Sequence, residues 1–136
     1  MVALTTNRNT PSALPGLRQV PVAANARIYI GAIVQIAASG FAVAGAATAA
    51  NVAIGRAEAA ADNTGGANGA ITVDVRRGVF RYANSAAGDL IARTEIGKAC
   101  YVVDDQTVAK TNNAGARPIA GTVYDVDANG VWVEFA

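Results

Sequence analysis

Ile71-Thr72-Val73-Asp74-Val75-Arg76-Arg77-Gly78-Val79-Phe80-Arg81-Tyr82 decides the fold. Ile71, Val73 and Val75 share one face, and Thr72 and Asp74 the other. A period of two is that of a half-buried β-strand. Arg76-Arg77-Gly78 breaks the pattern as a bend or bulge. Val79-Phe80-Arg81-Tyr82 then resumes it as a second strand. Upstream, Ile28-Tyr29-Ile30 leads into Ala32-Ile33-Val34-Gln35-Ile36, a turn at Ala38-Ser39-Gly40, Phe41-Ala42-Val43 and Val52-Ala53-Ile54-Gly55, followed by a loose loop over residues 62–69. Downstream, residues 86–98 are the single candidate helix. After it come strands at 100–103, 107–109, 119–126 and 131–135. Asp127-Ala128-Asn129-Gly130 supplies the turn between the last two, because Asn-Gly adopts the left-handed angles that tight hairpins need. Many short strands with turn signals between them predict an all-β domain, a small β-sandwich of jelly-roll kind or a related barrel.

The strands carry an internal echo. At an offset of 66, Val34-Gln35-Ile36 falls on Cys100-Tyr101-Val102, and Gly55 on Gly121. At an offset of 60, Ile71-Thr72-Val73-Asp74-Val75 falls on Val131-Trp132-Val133-Glu134-Phe135, each after an Asn-Gly pair. Two such halves could form the two sheets of a sandwich or the two halves of a barrel; chance similarity between hairpins is the competing explanation.

Residues 1–25 differ from the rest. Pro11, Pro15 and Pro21 punctuate them, and proline favours extended backbone while withholding a ladder donor. The reading is an extended N-terminal arm (1–25) on a single β domain (26–136); a disordered tail is the competing explanation, and the large aliphatics Leu4, Leu14, Leu17 and Val20 favour an arm that docks. Leu14, Leu17, Arg8 and Arg18 are its candidate contacts: the leucines fill apolar pockets, and the arginines meet carboxylates. Deleting residues 1–22 is expected to leave a folded body. Up to residue 57 the chain has four arginines and no acid, whereas the remainder has seven basic and ten acidic residues. Such asymmetry suits packing of one end against a partner. Hydrophobic residues make up 52% of the chain but aromatics only 6%, so the apolar content is mostly Ala and Val. Some of that surface is expected to be buried between subunits.

Several chemistries are disfavoured. The net charge of +1 gives no bulk attraction for nucleic acid. The chain has no His, which removes the commonest general base and zinc ligand. Its one cysteine, Cys100, sits in an apolar run as a small buried hydrophobe. No catalytic, cofactor or metal residues are assigned, and no enzyme activity is expected. Residues 28–55 are uncharged, but Gln35, Ser39, Thr48, Asn51 and the breaks at Gly31, Gly40 and Gly45 read as strand-turn-strand rather than a membrane span. Asp125-Val126-Asp127-Ala128-Asn129-Gly130 imitates the start of a calcium loop, yet Glu134 stands two places short of where the bidentate ligand belongs. Arg76, Arg77 and Arg81 with Tyr82 form the one basic-aromatic cluster; a protein carboxylate, an intrachain partner or, less favoured, a phosphate would satisfy it. Trp132 lies opposite the Val131-Val133-Phe135 face. If that face is core, Trp132 is a contact residue.

Ala26-Arg27-Ile28-Tyr29-Ile30-Gly31-Ala32-Ile33-Val34, the 71–80 stretch, Gly97-Lys98-Ala99-Cys100-Tyr101-Val102-Val103-Asp104-Asp105 and Ile119-Ala120-Gly121-Thr122-Val123 together resemble the small cement, or head-decoration, proteins of tailed bacteriophages, particularly those of short-tailed Bordetella-type phages. The resemblance implies a jelly-roll-like sandwich or barrel. It implies a homodimer or homotrimer on the outer capsid surface of the virion, bridging neighbouring copies of the major capsid protein. It brings no catalytic residues, no cofactor, no nucleic-acid contact and no membrane. A tail or fibre-base subunit, or a carbohydrate-binding β-module, are the alternatives.

Overall fold

The computed structural model describes residues 2–136; Met1, the first residue of the arm, lies outside them. The chain is all-β, with twelve strands among the described residues: β1 (Leu17–Pro21), β2 (Arg27–Ile28), β3 (Ile33–Ile36), β4 (Ala42–Ala44), β5 (Val52–Ala57), β6 (Ala61–Asp62), β7 (Thr72–Arg76), β8 (Gly78–Asn84), β9 (Ala99–Val102), β10 (Thr107–Ala109), β11 (Ile119–Asp127) and β12 (Gly130–Phe135). They sort into two units. The first is a sheet in the order β1-β7-β5-β3-β4, and the second is a closed barrel in which β8, β12, β11, β9 and β10 follow one another and β10 returns to β8.

The two orders are the same order. In each unit the first strand in the chain pairs with the fifth, the fifth with the fourth, the fourth with the second, and the second with the third. The registers agree as well. Gln35 faces Ala53 and Val34 faces Gly55; 66 residues on, Tyr101 faces Ile119 and Cys100 faces Gly121. Each ladder skips one residue at that point, Ile54 in one and Ala120 in the other. Closure also repeats. Asn84 pairs with Val108 in parallel, and at the corresponding place Val22, just past β1, bridges Ala42 in parallel. The first unit is therefore a curled sheet drawn shut by one bridge, where the second is closed by a two-residue ladder. The fold falls in the expected sandwich-or-barrel class, with one small closed barrel and one sheet of the same strand order.

Both interiors come from the same positions. Val20, Val34, Ala42, Ala57, Val73 and Val75 are buried in the first unit. Tyr82, Cys100, Val108, Val123, Val131 and Val133 are their counterparts in the second. The last strand is thus offset by 58, with Val73 on Val131 and Val75 on Val133, not by the 60 that the Asn-Gly pairs suggested. The difference from 66 is taken up between the fourth and fifth strands. The second unit turns there from Asp127 to Gly130, whereas the first makes an excursion that carries β6, which pairs with β2. Asn63 anchors this excursion, donating to the carbonyls of Ala23 and Ala67 at 2.8 and 2.9 Å.

The units are packed together. Ile33 projects out of the first into the core of the second. The Ile33 N–H donates to the Asp105 carbonyl at 2.8 Å, and the Tyr82 hydroxyl to the Gly31 carbonyl at 3.0 Å. Gln35, fully buried, accepts from the Ala46 N–H and the Asn51 amide and donates to the Ala46 carbonyl. That network leaves no burial cost unpaired.

Two expectations change. The arm ends at residue 16, not 25, because residues 17–22 build β1 and its bridge, burying Val20 and Val22. Pro15 and Pro21 flank a proline-free run, and β1 needs a ladder partner on one side only, so the prolines do not prevent it. Leu17 and Arg18 accordingly belong to the body, and deleting residues 1–22 would remove a strand. Residues 86–98 form two 3-10 turns, Ala87–Asp89 and Arg93–Glu95, rather than one helix. The uncharged 28–55 stretch keeps its strand-turn-strand reading: it runs from the end of β2 through β3, a turn and β4 into β5, and among the described residues no helix is long and apolar enough to cross a membrane.

Candidate contact surfaces

Arg8 and Leu14 lie on an arm without secondary structure and are exposed, Leu14 to 93%. Leu17 is half exposed on β1, next to exposed Arg18. Arg76, Arg77 and Arg81, adjacent in sequence, are separated by the fold. β7 belongs to the first unit and β8 to the second, so the bend at Arg77-Gly78 is the crossover between them. Gly78 sits at φ +148°, in the region that disfavours a side chain.

Arg76 joins an ionic cluster on the first unit. Glu58 accepts from Arg56 at 2.6 Å and lies 3.3 Å from Arg76. Arg56 also stacks 3.9 Å over the Phe80 ring of the second unit. Arg81 and Trp132 face each other across β8 and β12, with the guanidinium 5.6 Å from the ring centroid. The alternation places Val131, Val133 and Phe135 inside and Trp132 half-buried outside, as expected. Its indole N–H donates to Asp127 at 2.9 Å. With the Asn129 N–H also donating to it, Asp127 is held below the usual carboxylate range, chiefly by the indole. Asp125 pairs with Arg93 and accepts from the Val126 N–H. The pseudo-calcium loop is thus a hairpin turn whose carboxylates are already occupied.

Two depressions result. One, around Gly31, is lined by Arg56, Phe80, Arg81, Tyr82 and Trp132. It extends past Tyr29 and Ile30, which are 56% and 69% exposed. Arg56, Phe80 and Ile30 were not legible as site residues; Arg56 and Phe80 come from separate strands and Ile30 from the turn between β2 and β3, and only the packing of the two units joins them. The other is a cleft between β5 and β11, lined by Arg18, Val52, Ala53, Ile54, Arg77, Ile119 and Ala120. It gathers Arg18 and Arg77, which the sequence kept apart.

Neither depression holds an obvious reactive group. Burial pushes the Tyr82 hydroxyl well above its usual range and the Cys100 thiol up to about 11. Both therefore stay protonated at neutral pH. Among the described residues no three His, Cys, Asp or Glu side chains gather where they could hold a metal ion. Comparison of the chain with family models, curated proteins and solved structures found no match.

Proposed function

We propose that the protein is a structural virion subunit that seats on the outer surface of a phage capsid and bridges neighbouring major capsid subunits. The observation that carries this reading is apolar surface where a freely dissolved protein has least use for it. Large aliphatic side chains stand exposed on the arm (Val2, Leu4, Leu14) and on both units (Leu17, Ile30, Val52, Ile96, Ile119). Surface of this kind is what contact with a partner would cover. The strand motifs that resemble cement proteins point to a shell as that partner. Such a subunit acts by mass action: whatever binds the assembled shell and not its parts stabilises the shell in proportion to occupancy. Several weak contacts on one oligomer add through avidity.

The test is co-sedimentation of the purified protein with bare heads, comparing the full chain with one lacking residues 2–15. That deletion spares β1. Saturable binding that the deletion weakens supports a docking arm on a shell protein. Binding to isolated tails and not heads would move the protein to the tail or fibre base, and binding to neither would overturn the reading.

A further inference from the structure

The chain holds a strand without a sheet and a sheet edge without a strand. Val2-Ala3-Leu4-Thr5-Thr6 is proline-free and rich in β-branched residues, which favour extended structure. It pairs with nothing, and Val2 and Leu4 are 93% and 72% exposed. In an extended conformation both would point to one face. The open edge is on β5. That strand pairs with β3 from Val52 to Arg56, but with β7 only at Arg56 and Ala57. The far edge of Val52-Ala53-Ile54 borders the cleft, whose opposite wall is Ile119 and Ala120 of β11. Val52 and Ile119 are 62% and 57% exposed there. An open edge beside exposed aliphatics is a template for a further strand.

The arm starts where this cleft lies. The Arg77 N–H donates to the Gly16 carbonyl at 2.8 Å, and Arg77 lines the cleft. Leu14, two residues earlier, is already almost fully exposed, so the arm leaves the body at once instead of turning back over its own edge. Residues 7–16 can span up to about 33 Å when extended. Two copies with their clefts facing across a two-fold axis would bring the root of each arm beside the edge of the other. A two-fold interface makes every contact twice, and exchange of like elements is an accessible route to it.

We propose that residues 2–6 of one copy add as a strand to the Val52-Ala53-Ile54 edge of a second copy, reciprocally, with Val2 and Leu4 covering Val52 and Ile119. The pairing requires no shell. It is measured on the purified protein, so its failure would leave head binding untouched, and failure of head binding would leave it standing.

The experiment mixes Leu4→Cys protein with Val52→Cys protein, one carrying a mass tag, under mild oxidation. Both positions are exposed, and the buried Cys100 is common to all samples. The expected result is a mixed disulfide dimer in clear excess over either like-with-like dimer. The full chain should also be dimeric by light scattering. Val52→Asp, or Ala3→Pro on an arm that packs against nothing, should weaken the dimer at least about tenfold while leaving the circular dichroism spectrum unchanged. A doubly substituted chain that closes only an internal disulfide would overturn the proposal by placing the arm on its own edge. A full chain that stays monomeric, or dimers formed without preference for the mixed pair, would overturn it as well.

Discussion

The two units share a strand order, a bulge and a set of interior positions, yet they differ in what fills them. The first interior is all small or aliphatic: Val20, Val34, Ala42, Ala57, Val73 and Val75, with Ile28 and Ala61. The second adds rings. Tyr82 stands where the first has Val20, and Phe135 packs at 6.2 Å from Phe80 and 6.0 Å edge-on to Tyr82. In the first unit the place of Phe135 belongs to Arg77: Arg77 bonds to Gly16 where Phe135 faces Gly78. The outer faces diverge further. Arg56, Asp74 and Arg76 of the first correspond to Thr122, Trp132 and Glu134 of the second. One backbone plan thus carries a core that keeps its pattern and surfaces that do not, and the units are suited to touching different things. The rings of the second interior bury more apolar surface per residue than the aliphatic side chains of the first.

The contrast between Phe135 and Arg77 gives the largest expected effect. Phe135→Ala empties a ring-lined site and should cost about 3–5 kcal/mol in denaturant unfolding. Arg77→Ala, at the equivalent place, should stay within about 0.5 kcal/mol, as surface changes do. Equal costs would mean that the two positions are not the inside and outside versions of one site.

The bulge glycines test the shared backbone. A side chain at Gly55 would collide with the Arg76 carbonyl oxygen, and one at Gly121 with that of Glu134. Gly55 is also at φ +147°, and Gly121 is not among the glycines at positive φ. Gly55→Ala should therefore cost more than Gly121→Ala, with both in the range of about 1–4 kcal/mol. A drop in melting temperature of about 3–5 °C per kcal/mol is the readout. If either alanine were neutral, the close approach would not constrain that unit.

These glycines also explain how much could be read in advance. The all-β class was legible because half-buried strands alternate, as Ile71, Val73 and Val75 do. The duplication was legible at Val34 and Gly55 against Cys100 and Gly121, because a bulge pressed on a neighbouring carbonyl tolerates only glycine. The closure of each unit was not, since a parallel bridge such as Val22 to Ala42 leaves no periodicity. β1 was hidden by the prolines around it, and the offset of 60 was misled by Asn68-Gly69, which belongs to an excursion and not to a hairpin. Of the expected contact residues, Trp132 and Arg81 could be paired by alternation once the strands were known. The meeting of Arg56 with Phe80, or the placing of Val52 and Ile119 on one cleft, needed the two units docked.

Cys100 and Val34 occupy one interior position in two copies, which predicts one thiol chemistry for both. Burial raises the Cys100 pKa from 9.0 to about 11. A thiol held protonated favours folding below its unfolded pKa, and that contribution is lost as pH rises from about 9 through 11. At pH 8 the native thiol should react with a disulfide reagent far more slowly than the unfolded chain, since the thiolate is the nucleophile. Val34→Cys should fold at a cost of about 1 kcal/mol and add a second thiol that is equally slow. A fast second thiol would show the first unit opening more readily than the second.

The smallest expected effect belongs to the outer face, where Trp132 replaces Asp74. Trp132 is the one tryptophan in the chain, so intrinsic fluorescence reports its bond to Asp127. The indole and the Asn129 N–H both stabilise the carboxylate, so its folded pKa lies below the ordinary 3.8. A group with a lowered pKa contributes stability above its unfolded value and loses it as pH falls through the folded one. The emission should accordingly stay constant down to pH 4 and change below it, with the fold still intact by circular dichroism. Asp127→Asn keeps an acceptor for the indole but cannot titrate, so the acid step in emission should vanish with little change in melting temperature at pH 7. A step centred above 4, or one that survives in Asp127→Asn, would mean that some other group governs Trp132, and that the aromatic outer face of the second unit is not fixed by its own hairpin turn.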